Sequence, residues 1–263
     1  MKLSKDSERL TFGEHLEVFR RMLFRILGVS GMIAIVVFCF KNTTWELLLA
    51  PSEWSFSTYR WLEAIMQAMG IGFHFEEYHV NLIATDLSSQ FMTHITTAVY
   101  LGLLGASPYI LYELFRFISP ALYENERKYS VQVAGIIYVL FLLGVLMSYF
   151  VLFPISFRFL GTYSVSAKVV SNITLDSYIS TFISLTLVMG VVFQLPVIAF
   201  FLGKLGIVTS DMLATYRKHS LIVIMLVAAI ITPPDLMTLI LVTIPLYLLY
   251  EISIRVVGWV EPK

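Results

Sequence analysis

Cysteine and charge are both scarce in this chain of 263 residues: one Cys, and 14% Asp, Glu, Lys and Arg, against roughly 25% charged residues in soluble domains. A lone thiol forms no internal bridge, which excludes a disulfide-built fold. Cys39 lies in an apolar run, the setting of a packed or lipid-facing thiol and not of a reactive one. The 18 Lys and Arg balance 18 Asp and Glu, so the basic excess of a nucleic-acid binder is missing and no nucleic acid is expected. Several motifs are also missing. Without Gly-x-x-x-x-Gly-Lys-[Ser/Thr], His-Glu-x-x-His or Gly-x-Ser-x-Gly, the residues for nucleotide hydrolysis and familiar intramembrane hydrolysis are lacking. His15, His74, His79, His94 and His219 do not have metal-ligand spacing, and no metal or cofactor is expected.

What is abundant is apolar. The chain is 58% hydrophobic, with a mean hydropathy of +0.81. Four apolar runs, at about 22–40, 91–112, 129–153 and 178–202, reach the ~20 residues that cross a bilayer. Two more, 220–231 and 236–250, hold 12 and 15 residues, or roughly 18 and 22 Å as helices. Thr232-Pro233-Pro234-Asp235 separates them, and tandem prolines favour a tight hairpin over one kinked helix. The expected fold is therefore all-α: one polytopic membrane domain over 1–263 with six transmembrane helices, the two C-terminal ones so short that either the bilayer thins locally or the pair is re-entrant.

Fourteen of the 18 basic residues fall in the N-terminal segment, the second and fourth connections and the C-terminus. Lys41, Arg60, Arg158 and Lys168 fall on the other side. The positive-inside rule then places both termini in the cytoplasm. The first 20 residues carry acids as well as bases and no small-residue cleavage site follows, so the first span is expected to be retained. The outer connection, 41–90, is too long for an idle turn. With Trp54, Trp61 and an apolar-periodic stretch from Trp61 to Met66, it reads as an interfacial cap. Its tryptophans are open to two uses, membrane anchoring or ligand binding.

The cytoplasmic connection between spans two and three, within 113–128, reads Phe115-Arg116-Phe117-Ile118-Ser119-Pro120-Ala121-Leu122-Tyr123-Glu124-Asn125-Glu126-Arg127-Lys128. It resembles the first cytoplasmic loop of the TatC family, the core receptor of the twin-arginine protein translocase. The segment 1–21 contains His15-Leu16 followed by Arg20, similar to the family's His-Leu-x-Glu-Leu-Arg entry. Phe193-Gln194-Leu195-Pro196, Thr232-Pro233-Pro234-Asp235 and Ile244-Pro245-Leu246-Tyr247 with Glu251 resemble its later segments. The matches run in order along nearly the whole chain.

The resemblance implies a receptor for twin-arginine signal peptides in a bacterial cytoplasmic (inner) membrane. Its partners would be TatA-like and TatB-like single-span proteins, further copies of itself and membrane lipid, and the proton gradient would drive export of folded cargo. It assigns Glu126 as the signal-binding acid, with Arg127, Lys128 and Phe117 beside it. Physical chemistry supports the choice of residue type, since a carboxylate at the low-dielectric boundary binds a planar guanidinium bidentately. A solvated ion pair with its own basic neighbours is the other reading, and is the stronger one for Glu124. The family's N-terminal glutamate position is Val18 here. Glu17 is adjacent but ~100° around a helix, so it is either a second binding acid or part of a solvated face. Arg20 matches the motif's arginine and also suits membrane-boundary anchoring.

Gln194 stands where many family members have glutamate and cannot titrate. It is expected to dock a partner's transmembrane helix, with an internal hydrogen bond as the alternative. Pro51, Thr232 and Asp235 coincide with family positions, a helix stop and a capped turn being the structural alternatives for Pro51 and Asp235. Two other classes compete. A secondary transporter or channel needs ionisable groups at midplane, and a membrane enzyme needs a nucleophile, base and metal set; the spans are poor in both.

Overall fold

The computed structural model describes residues 12–72, 74, 77–118, 130–166 and 172–260. Helix α1 (Phe12–Cys39) is followed by α2 (Lys41–Leu49), a 3-10 turn (Ala50–Ser52), α3 (Ser57–Ala68) and a short strand β1 (Leu82–Ile83). Then come α4 (Ser89–Gly105), α5 (Ser107–Ile118), α6 (Ser130–Met147), a π-helical turn (Ser148–Leu152), α7 (Phe153–Thr162) and β2 (Ile173–Thr174). The chain ends with α8 (Leu175–Val192), α9 (Leu195–Lys204), α10 (Ser210–Thr215), α11 (Arg217–Ile231) and α12 (Leu236–Val260). Leu16–Cys39, Val133–Thr162, Leu175–Lys204 and Leu236–Val260 are each long and apolar enough to cross a membrane, and α4 with α5 makes a fifth if the bent pair is one span. The all-α, polytopic architecture expected from the hydropathy pattern is present.

Prolines account for most departures from the expected runs. Pro108 has no N–H for the Leu104 carbonyl, and the second span bends by 56° between α4 and α5. Pro196 likewise leaves the Val192 carbonyl without its helical donor, and α8 gives way to α9 at Phe193–Gln194. The third helix passes the expected end at Phe153 and continues to Thr162, which puts Arg158 in a helix and not in a loop.

The expectation of two short C-terminal spans is corrected at the second of them. α11 has 15 residues, about 22 Å, but α12 has 25, about 37 Å. The apolar run stops at Tyr250 because Glu251 is charged. The helix does not stop there, since Glu251 binds Arg217 at the start of α11 through two contacts, Nε to Oε1 at 2.8 Å and Nη2 to Oε2 at 3.1 Å. The hairpin between α11 and α12 falls at Thr232–Asp235 as expected. Thr232 donates to the Ala228 carbonyl at 2.9 Å, and Asp235 Oδ1 accepts from the Thr238 N–H at 2.7 Å, capping α12.

The chain divides into two compact units. In the first (residues 1–39 and 98–138), Met22 and Ile26 of α1 are buried with Phe115 of α5. Gly102 and Gly105 bring α4 against α1: a Cβ at Gly102 would lie 2.7 Å from both the Ala34 Cβ and the Ser30 carbonyl, and one at Gly105 3.0 Å from Ile33.

In the second unit (residues 40–97 and 139–263), Gly144 faces the Met189 backbone and Gly190 faces Phe141, so the helices holding them cross closely. Phe153, Phe157, Tyr178 and Phe182 form an edge-to-face cluster with centroids 5.0 Å apart. The connection 41–90 packs around this cluster. Tyr178 donates to the Leu48 carbonyl at 2.7 Å, and β1 pairs in parallel with β2, Leu82 opposite Ile173. Pro154 supplies no N–H to the Phe150 carbonyl one turn back, and the Thr58 hydroxyl donates there instead.

Gly144→Leu should lower stability in detergent by about 1–3 kcal/mol, the usual cost of overpacking, because backbone atoms of Met189 occupy the space. Gly135→Leu, with open space around its Cβ position, should leave the thermal midpoint near wild type. Equal midpoints for the two variants would refute the close crossing.

Candidate functional site

In the first unit, the N-terminal turns of α1 lie against the end of α5. Phe19 meets Phe117 at 5.6 Å between ring centroids. The buried face of α1 runs through Met22, Ile26 and Ser30. At ~100° per residue Glu17 falls on the side opposite that face. It pairs with Arg21 one turn on, both side chains well exposed. Val18, the position where the family carries its acid, lies at the edge of the packed face and is 41% exposed. Arg20 is exposed.

A different acid is buried there. Glu113 of α5 is 4% exposed, accepts from the Tyr109 hydroxyl at 3.0 Å, and lies 3.4 Å from Arg25 Nη1. A carboxylate this deep persists because a cation and a hydroxyl replace water. The sequence signal was faint: Tyr109 and Glu113 are four residues apart, the spacing that brings side chains together on a helix. Arg25 is far away in sequence.

The expected signal-binding group Glu126, Arg127 and Lys128, together with Glu124, lies outside the described residues. The described ends of α5 and α6 flank that loop, so of the expected group only Phe117 on α5, with Glu17 and Arg20 on α1, has a described place.

In the second unit, Gln194 sits at the junction of α8 and α9, half-buried, its amide donating to the Gly190 carbonyl at 3.4 Å. Thr232 and Asp235 carry the hairpin bonds given above. Pro51 is buried in the 3-10 turn. Beyond that turn, a polar depression of about 320 Å³ lies between Ser52–Ser55 and Tyr78–Asn81, with Trp54 and His79 in its wall.

A latch of Tyr59, Tyr78 and Arg158 has no signal in the sequence. Tyr59 donates to the Pro154 carbonyl at 2.8 Å. Its oxygen lies 2.9 Å from Tyr78 Oη, so Tyr78 is the donor to it. The Arg158 guanidinium covers both rings, 5.2 Å from the Tyr59 centroid and 4.7 Å from that of Tyr78. Burial pushes both phenols above their usual range, so the latch stays protonated at any physiological pH. Among the described residues no three His, Cys, Asp or Glu side chains gather as metal ligands would.

Several long apolar helices, interrupted at prolines, define a polytopic helical membrane protein. The family described as Sec-independent protein translocase protein (TatC) matches residues 14–245. The chain is similar to the Sec-independent protein translocase protein TatC of Blattabacterium sp. subsp. Periplaneta americana (strain BPLAN), 32% identical over 99% of this chain and 100% of that one. It is also similar to TatCy of Bacillus subtilis (strain 168), 39% identical over 69% and 71% respectively. A solved structure described as the twin arginine translocase receptor TatC superposes with a TM-score of 0.73 at 30% identity, covering 94% of this chain and 99% of that one. The chain belongs to the TatC family, a component of the Sec-independent protein translocase and not an enzyme.

Arg25→Ala should cost more stability than Arg21→Ala. The first leaves a buried carboxylate with one hydroxyl, a loss of about 1–3 kcal/mol, whereas the second opens an exposed pair worth a few tenths. Thermal unfolding of the two variants in one detergent compares them, and a larger loss from Arg21→Ala would contradict the assigned pairing.

Proposed function

We propose that this chain is the receptor that engages twin-arginine signal peptides at the cytoplasmic face of a bacterial cytoplasmic membrane, with both termini on that side. The observation that carries the reading is the near-complete superposition on a twin arginine translocase receptor. The Pro120–Lys128 motif falls in sequence between α5 and α6, in a connection that the distribution of basic residues assigns to the cytoplasm. Glu126 meets the paired guanidinium groups there, and Phe117, Arg127 and Lys128 border it. Arg20 is exposed on α1. Glu17 is exposed on the same helix and shares its carboxylate with Arg21. A charge-assisted bidentate contact suits arginine over lysine.

Single-span TatA-like and TatB-like partners and further copies of the chain assemble around the receptor, and the proton gradient drives passage of folded cargo. Gln194 is the polar group on the fourth span that a partner helix meets. It keeps one amide hydrogen bond within its own helix. Of the two helices expected to thin the bilayer, α11 is the one short enough to do so.

Glu126→Ala should reduce crosslinking of a twin-arginine signal peptide at least about tenfold, the equivalent of 1.4 kcal/mol, while membrane insertion is unchanged. A twin-lysine peptide should crosslink as poorly to the wild-type chain. Retained crosslinking by the variant would remove Glu126 from the site.

Gln194→Leu should impair co-purification of the single-span partners more than signal-peptide crosslinking. Equal losses would assign Gln194 to the internal bond alone.

A further inference from the structure

Helix α3 presents an unusual face to the rest of its unit. The side chains that dock it are Thr58 and Tyr59, both buried and both hydrogen-bonded to the third span. Its apolar side faces outward. Trp61 is 58% exposed, Ile65 56% and Met69 69%, and the exposed Ala64 and Ala68 lie between them. At ~100° per residue these five positions share an arc of about 140°. The exposed Arg60 and Gln67 follow on the adjoining edge. A helix in water would turn the opposite way, with the apolar arc inward.

The third span sets the depth of this arc. Phe56, just before α3, stacks on Phe150 at 5.8 Å, and Trp61 lies 6.0 Å from the same ring. The uncharged stretch of the third span starts at Tyr129. Phe150 lies 21 positions further on, a rise of about 32 Å as a helix, close to the ~30 Å of the hydrocarbon core. Arg127 and Lys128 precede this stretch, and Arg158 is the next charge after it. The first turn of α3 is therefore level with the place where the span leaves the hydrocarbon. With 12 residues, about 18 Å, α3 cannot cross the bilayer. An uncharged arc led by Trp, bordered by Arg and Gln, has the composition of a helix lying in the interface plane.

We propose that α3 is an in-plane membrane helix whose Trp61, Ile65 and Met69 enter the lipid at that interface, the occupant of the arc being acyl chain and not protein. The bilayer thus grips the segment directly, while Thr58 and Tyr59 in the first turn of α3 hold it to the third span.

The test uses the full-length chain reconstituted in phosphatidylcholine vesicles, with Trp45, Trp54 and Trp259 each changed to Phe so that Trp61 is the only emitter. Lipids brominated near the glycerol end of the acyl chain should quench its emission more than lipids brominated near the chain terminus, and aqueous acrylamide should quench little. Strong acrylamide quenching without bromolipid quenching would place the arc in water, and quenching by neither would place it under a partner or a second copy; either result overturns the proposal. Should the triple substitution fail to fold, a nitroxide on Ile65→Cys in a Cys39→Ser background gives the same decision. Greater access to oxygen than to a water-soluble nickel chelate supports lipid, and the reverse, or access to neither, overturns it.

Discussion

Inside lipid no water is present to satisfy a stranded backbone carbonyl, and this constraint governs each place where the helices of this chain depart from regularity. Pro108, Pro154 and Pro196 each withhold an N–H from a carbonyl one turn back. At Pro108 and Pro196 the chain bends or restarts its helix. At Pro154 the Phe150 carbonyl is taken by the Thr58 hydroxyl, from a segment 92 residues earlier. The π-helical turn, the Thr58 bond and the Tyr59 bond to Pro154 thus gather at one proline, and α3 is held to the third span where that span is imperfect.

Charge is handled as economically as hydrogen bonding. Two of the three arginines in the first half of α1 are held by acids of the same unit: Arg21 by Glu17 on the exposed side, Arg25 by Glu113 in the interior. Arg217 and Glu251 close the other end of the α11–α12 hairpin. A chain with 18 cations in 263 residues uses Arg21, Arg25 and Arg217 as fasteners within and between helices.

The spans were legible because burial in lipid requires only long apolar runs, a property of composition. The hairpin at Pro233–Pro234 and the interruption at Pro196 were legible because proline acts locally. The end of α12 was not, since Glu251 reads as a terminus until its partner at Arg217 is known. Arg158 misled for the same reason: as a charge after an apolar run it signals a loop, yet the rings of Tyr59 and Tyr78 shelter it within a helix. Order and spacing of the motifs carried the family resemblance, which the family match over residues 14–245 bears out. The orientation of Glu17 and the burial of Glu113 depend on which side of α1 meets α5, and no local pattern encodes that.

The Thr58–Phe150 bond also has a consequence for biogenesis. The ribosome delivers Thr58 long before Phe150, so the cap leaves the translation machinery with its docking surface still unmade. Until the third span has been threaded and its proline-weakened turn laid down, α3 lacks the carbonyls that Thr58 and Tyr59 bind, and the maturation of this segment is slaved to a later step of insertion.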